Sequence, residues 1–313
     1  MRAVTMQDGA LVVEERPDPE PGQGELLVRV RGAGLNGADM LQRRGGYPAP
    51  PGSPPDIPGL ELAGEVVATG PGADRFGEGH RVMAVVGGGG QAELGLVHER
   101  AAMPVPEGLD WAEAGGLPEV FTTAHDALFS QAGLRPGEHL LVHGGAGGVG
   151  TAAVQLGRAA GARVTATVRR EELRAQVEDL GARAIEPDGF AEHGPYDVVL
   201  ELVGASNLAG NLQSLATRGR IAVIGVGGTG PKAEINLLSV MQKRARIHGS
   251  TLRARPLEEK AIAMRLVEKE VLPLFDQGRL AVAVTATFPL DEAEQAYERF
   301  AAGGKLGKIV LLP

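Results

Sequence analysis

The chain has 313 residues, 43% of them hydrophobic and 22% charged, with a formal net charge of −8; this is an ordinary globular composition, enough for two domains at roughly 150 residues each. The acidic balance and the lack of a basic tail or stripe argue against nucleic acid as a partner. No apolar run approaches the roughly 20 residues that cross a bilayer, and the opening MRAVTMQDG lacks a basic segment followed by an apolar one, so a cytoplasmic protein without a membrane partner is expected. There is no cysteine, which excludes disulfides, thiolate nucleophiles and zinc sites that rely on sulfur.

In chain order, residues 1–119 are dense in short alternating runs such as ELLVRVRGAG (25–34) and ELAGEVVATG (61–70), the spacing of a small barrel. YPAPPGSPPDIPG (47–59) is too rich in proline for helix or ladder and predicts an ordered loop, while GGGGQAEL (87–94) reads as the tip of a hairpin. Over 120–255 strand and helix alternate: LLVH (140–143), GVGTAAVQLGRAAG (148–161), ARVTATV (162–168), EELRAQVEDLGA (171–182), YDVVLELVG (196–204), NLAGNLQSLA (207–216), RIAVIGVGG (220–228), NLLSVMQKR (236–244) and ARIHGST (245–251). That alternation predicts an α/β, doubly wound parallel sheet in two halves of three strands. In 256–313, PLEEKAIAMRLVEKEVLPLFDQG (256–278) predicts one long amphipathic helix. AVAVTATFPL (281–290) is a strand, DEAEQAYERFAAGG (291–304) a helix capped by Asp291, and KIVLLP (308–313) a strand that returns to the first domain.

HGGAGGVG (143–150) follows a strand and opens a helix, and Gly145, Gly147 and Gly150 fit G-x-G-x-x-G in the context this fingerprint requires. The turn Gly145, Ala146, Gly147, Gly148, Val149, Gly150 therefore reads as the seat of a dinucleotide pyrophosphate at a helix N-terminus. At the end of the next strand, where an acidic residue would take the ribose 2′-hydroxyl of NAD, stand Arg169 and Arg170. Two guanidiniums favour a 2′-phosphate and hence NADPH. The alternative is that both arginines are solvated and that Glu171 or Glu172 takes the ribose.

The stretches GLNGADMLQRRGGYPAPPG (34–52), PGLELAGEVVATGPG (58–72), GGGQAEL (88–94), LPEVFTTAHDAL (117–128) and GKIVLLP (307–313) resemble the zinc-free quinone oxidoreductases, the zeta-crystallin-like branch of the medium-chain dehydrogenase/reductase superfamily. The resemblance spans essentially the whole chain. It implies a GroES-like β-barrel catalytic domain, completed by 256–313, beside a Rossmann cofactor domain. Where zinc-dependent members hold their metal with a cysteine and a histidine, this chain has Asn36 and Leu60, so no metal is expected. His125 and His143 read as packing residues, since no close histidine pair occurs. Without a Lewis acid the substrate must already be electron-poor, such as a quinone or an enone.

The resemblance further implies Tyr47 and Asn36 as substrate-pocket residues, with Tyr47 the donor to a developing oxyanion and Asp39 beside them orienting Asn36 or capping the turn. It implies Thr123, Val203, Gly204, Gly225 and Val226 around the nicotinamide and its ribose, with Leu252, Arg253 and Lys308 as weaker cofactor contacts. Gly147 stands where some relatives carry serine. A homodimer through ARIHGST (245–251) is expected on the same ground. Two other readings remain: a 2-enoyl thioester reductase of the same superfamily, and a non-catalytic NADPH-binding protein of the crystallin or nucleic-acid-binding kind.

Overall fold

The alternating runs of the first third become strands because their pleat buries one face: Leu26, Val28 and Val30 are buried while Arg29 and Arg31 point to solvent. The computed structural model describes residues 1–7 and 9–313. The chain divides into two units, one of Met1–Thr122, Leu252–Gly303 and Lys308–Pro313, the other of Thr123–Thr251 and Gly304–Gly307.

The first unit starts with β1 (Arg2–Gln7), β2 (Ala10–Glu15), β3 (Glu25–Gly34), β4 (Glu61–Thr69), β5 (Arg81–Val85), β6 (Leu94–His98) and β7 (Ala102–Pro104). The second contains β8 (His139–His143), β9 (Arg163–Thr167), β10 (Arg183–Ile185), β11 (Tyr196–Glu201), β12 (Leu215–Val223) and β13 (Arg246–Gly249), after which β14 (Val284–Pro289) and β15 (Lys308–Leu312) complete the first. In the first unit β1 and β2 form a hairpin, and a seven-stranded sheet runs β14-β15-β3-β4-β5-β7 with β6 also on β3. Val28, Leu62, Val82 and Ile309 from these strands pack with Leu290 and Tyr297 in one apolar cluster.

In the second unit the parallel order β10-β9-β8-β11-β12-β13 is the doubly wound arrangement, in which strands are added toward one edge from β8 to β10 and toward the other from β11 to β13. Every residue of β8 is buried, as befits a strand covered by helices on both faces. The carboxyl ends of β8 and β11 flank the switch point, where such sheets bind ligands.

Three local expectations are corrected. GGGGQAEL is not a hairpin tip, because β5 pairs with β4 and β7 whereas β6 pairs with β3; the loop instead bonds back to the 57–59 turn, with Gln91 N donating to Pro58 O at 3.0 Å. Residues 256–278 form two helices, Leu257–Glu270 and Leu272–Asp276, broken at Val271. Pro273 has no N–H to continue the first helix and sits in the opening turn of the second, where none is needed. Asp291 does not cap the helix Ala293–Ala301; it lies in a preceding 3-10 turn and pairs with Arg2 at 3.0 Å. Among the described residues no helix is long and apolar enough to cross a membrane.

Candidate active site

In the second unit β8 runs into the glycine turn, and the helix Gly148–Ala159 begins directly after it. Gly144 has φ +73°, in the region that favours glycine. A Cβ at Gly150 would lie 2.2 Å from Gly144 O and one at Gly145 2.7 Å from Ala166 Cβ, so both positions exclude a side chain. At Gly147 the nearest atom would be 3.4 Å away, ordinary contact. Gly147 caps the helix with no side chain, the first turn carries no acidic residue, and the Thr151 hydroxyl turns back to Gly148 O at 2.9 Å. Gly147 bridges to Gly307, which engages the Gly148 N–H, whereas among the described residues nothing takes the N–H groups of Val149 and Gly150. A helix start left open in this way presents amide donors and the positive end of the dipole to an anion. The residues thus fit the pyrophosphate of a dinucleotide.

Gly145 N donates to Thr167 O at 3.0 Å, which fixes the turn beside the end of β9, two residues before the exposed pair Arg169 and Arg170. Arg170 lies 3.7 Å from the Glu172 carboxylate, both side chains largely in solvent, while Arg169 has no partner among the described residues. On the other side of the turn, Val203 and Gly204 follow β11 and Gly225 and Val226 follow β12. The two loops interlock: Gly228 N donates to Val203 O at 2.9 Å, and a Cβ at Gly225 would meet Leu202 O at 2.5 Å. Val203 also faces the turn, its Cγ2 being 3.5 Å from where a Cβ of Gly144 would stand. The structure therefore gathers the turn, the arginine pair and these two loops along the carboxyl edge of one sheet. Thr123 is half-buried on the helix Pro118–His125 that enters the unit. His125 packs on Phe129 at 5.1 Å, and His143 lies buried against Phe190 at 4.6 Å with its ring nitrogens bonded to Thr167 and Asn211.

In the first unit Asn36, Asp39, Glu61 and Lys308 form a closed polar cluster, all buried. The Lys308 ammonium donates to Leu35 O at 2.7 Å, Asn36 Oδ1 at 2.8 Å and Glu61 Oε1 at 2.6 Å. Asn36 Nδ2 donates to Glu61 Oε1 at 2.9 Å and Gly34 O at 3.3 Å. Glu61 Oε2 accepts from Glu119 N at 2.8 Å. Asp39 accepts from Asn36 N at 2.8 Å and Gly59 N at 3.2 Å, and burial pushes its carboxyl up to about 7 against those bonds and the Lys308 charge. These contacts correct two expectations: the Asn36 amide is engaged inside the protein, and Lys308 has no N–H left for a cofactor. Asp39, without exposed surface, does not touch a substrate; it accepts from Asn36 N in a capping box, the orienting and capping role considered for it.

Arg253 is corrected likewise. Buried, it donates to Gly87 O at 2.8 Å, Tyr47 O at 3.0 Å and Gln42 Oε1 at 2.7 Å, so it braces the proline-rich loop, and the neighbouring Leu252 is buried as an apolar residue. Its guanidinium stands over the Tyr47 ring at 5.3 Å. The Tyr47 backbone is thereby fixed while its half-exposed hydroxyl has no partner among the described residues. Burial pushes the Tyr47 phenol above its ordinary value, and the Glu119 carboxylate adds to the rise while Arg253 opposes it. The phenol is a protonated donor at neutral pH.

A zinc ion does not fit the residues present. Leu60 has no donor atom, the Asn36 amide is engaged, and the Glu61 carboxylate already carries an ammonium. Among the described residues no three His, Cys, Asp or Glu side chains gather as a metal would need. Two residues that the motifs did not single out belong to this picture, Glu61 beneath the first cluster and Glu201 at the end of β11. An acid inside each of the apolar runs GLELAG and VVLELVG was the only signal for them.

Two family models match the chain, Alcohol dehydrogenase GroES-like domain over residues 22–107 and Zinc-binding dehydrogenase over residues 176–311. The chain is 32% identical over 306 residues to the quinone oxidoreductase of Rattus norvegicus, covering 94% of this chain and 91% of that protein. Its structure is similar to that of the quinone oxidoreductase of Pseudomonas syringae pv. Tomato DC3000, with a TM-score of 0.87, 27% identity and coverage of 100% and 99% of the two chains. It is also similar to that of mycobacterial Rv1454c complexed with NADPH, with a TM-score of 0.88, 27% identity and full coverage of both chains. With the open glycine turn, the doubly wound sheet and this full-length similarity together, the chain belongs to the quinone oxidoreductase branch of the medium-chain dehydrogenase/reductase superfamily.

Proposed function

We propose that this protein is an NADPH-dependent oxidoreductase that reduces quinones, or similarly activated carbonyl and enone acceptors, without a metal. The single observation that carries the reading is the full-length similarity to proteins named quinone oxidoreductase, joined to a dinucleotide turn whose amide donors are open. Bound NADPH supplies the hydride. The chain's own residues do the rest. The N–H groups of Val149 and Gly150 hold the pyrophosphate, with Gly145, Ala146, Gly147 and Gly148 shaping the approach. Arg169 and Arg170 clamp the 2′-phosphate in a forked geometry, and the solvent-facing pose of both supports that role. Val203, Gly204, Gly225, Val226 and Thr123 line the nicotinamide end. Tyr47 gives its hydroxyl hydrogen to the developing oxyanion, held in place by Arg253. The Asn36–Glu61–Lys308 cluster fixes an internal ammonium where zinc-dependent members hold their ion. Because the relatives carry the name quinone oxidoreductase, the enoyl thioester and non-catalytic readings rank behind this one.

A homodimer and a cytoplasmic location belong to the same proposal. Support for the dimer comes from the free edge of β13 and the exposed Leu237, Leu238 and Met241 on the helix Leu237–Lys243. Turnover of NADPH with 1,2-naphthoquinone tests the function. Steady oxidation that survives a chelator is expected, and the absence of turnover beside intact NADPH binding would favour the non-catalytic reading.

A further inference from the structure

Four side chains of the second unit join the glycine turn to the loop after β11, and each link has only one direction. Glu201, 4% exposed, is a carboxylate and can only accept. Its Oε1 takes the N–H groups of Val203 at 2.7 Å and Gly204 at 2.8 Å together with Asn207 Nδ2 at 3.3 Å, and its Oε2 takes Asn211 Nδ2 at 2.9 Å. The Asn211 amide is thereby oriented with Oδ1 toward His143, 2.7 Å from Nε2. His143 must carry its hydrogen on Nε2, which leaves Nδ1 to accept from the Thr167 hydroxyl at 3.2 Å. That hydroxyl oxygen in turn accepts Gly144 N–H at 3.1 Å. Burial holds the His143 pKa below its ordinary value, in keeping with a neutral ring. The chain starts at a glycine with φ +73° and ends at one with φ +141°, two backbone positions that favour glycine.

We propose that Glu201 is a positioning residue of the dinucleotide site, setting the loop Val203–Gly204 directly and the glycine turn through Asn211, His143 and Thr167. This rests on the reading that the unit binds a nicotinamide dinucleotide. Glu201→Gln is nearly isosteric and separates the chain from mere packing. Its oxygen can keep the two backbone amides, but its NH2 must then face Asn211 and donate. Asn211 turns over and the His143 hydrogen moves to Nδ1, so the whole chain reverses.

Nitrogen-15 NMR of labelled histidine, with His143 assigned by its loss in His143→Gln, reads this directly. The wild type is expected to show the Nε2–H form and Glu201→Gln the Nδ1–H form. In fluorescence titrations the variant should bind NADPH and NADH each about tenfold more weakly, the loss of charge-assisted bonds, while KM for the quinone stays within about twofold. An Nδ1–H form in the wild type, a tautomer unmoved by the substitution, or cofactor affinities within about twofold of wild type overturn the proposal. A wild type that binds neither dinucleotide sinks the parent reading and the positioning role with it, whereas binding by a wild type whose variant shows no change sinks the positioning role alone.

Discussion

The two polar regions of this molecule are built on opposite plans. In the second unit the glycine turn leaves the amide donors of Val149 and Gly150 open and carries no side chain that could close them. In the first unit the Lys308 ammonium, the Asn36 amide and the Glu61 carboxylate engage one another completely, deep in the protein. Open donors at a surface turn cost little, because water serves them until a ligand arrives. A buried charge has no such reserve and must bring its partners with it. A binding element is thus recognised here by what its groups do not bond, and a structural element by the closure of its bonds.

The comparison breaks most visibly at Lys308. Lys308→Met leaves the Glu61 carboxylate buried beside no cation, and urea unfolding should show a loss of about 3–5 kcal/mol. Adding Glu61→Gln should recover most of it, and a single variant as stable as wild type would refute the closed-cluster account. Tyr47→Phe comes next. It removes a hydroxyl that has no partner among the described residues, and should lower kcat about a hundredfold while leaving NADPH affinity alone; an unchanged rate would make Tyr47 a wall of the pocket.

In the turn itself, Gly150→Ala pushes a methyl to within 2.2 Å of Gly144 O and should destabilise by about 1–3 kcal/mol while weakening NADPH binding. Replacing Arg169 and Arg170 together by Ala should weaken NADPH about tenfold and NADH hardly at all, so equal losses remove the phosphate clamp. The smallest effect belongs to Gly147→Ala, where the added carbon meets nothing closer than 3.4 Å and stability should move by less than about 0.5 kcal/mol. A large loss there would show that the turn tolerates no carbon at all.

Much of the second unit was legible because its constraints are local. Glycines that cannot bear a Cβ stand within six residues of each other, and apolar runs alternate with helical ones over short intervals. The Arg169–Arg170 pair could be placed because its distance from the glycine turn is set by one helix and one strand. What was hidden depends on partners far apart in sequence. Lys308 meets Glu61 across 247 residues and His143 meets Asn211 across 68, and nothing near either residue announces the other. For the same reason Asn36, Arg253 and Lys308 were read as ligand contacts: a polar residue near a pocket looks alike whether it faces a ligand or a buried carbonyl. Pro273 is the opposite case, a break in plain view that strong flanking periodicity obscured.

The helix that starts at Gly148 without a cap has a thermodynamic corollary. With glycine at the cap, the empty protein is only about 0.3 kcal/mol less stable than a version of the same helix with a capping side chain would be. A ligand that occupies those amides returns stability by mass action, about 2.7 kcal/mol once its concentration reaches a hundred times Kd. Heat tolerance should therefore rise with the supply of any dinucleotide that seats on those amides, and a melting curve becomes a gauge of occupancy.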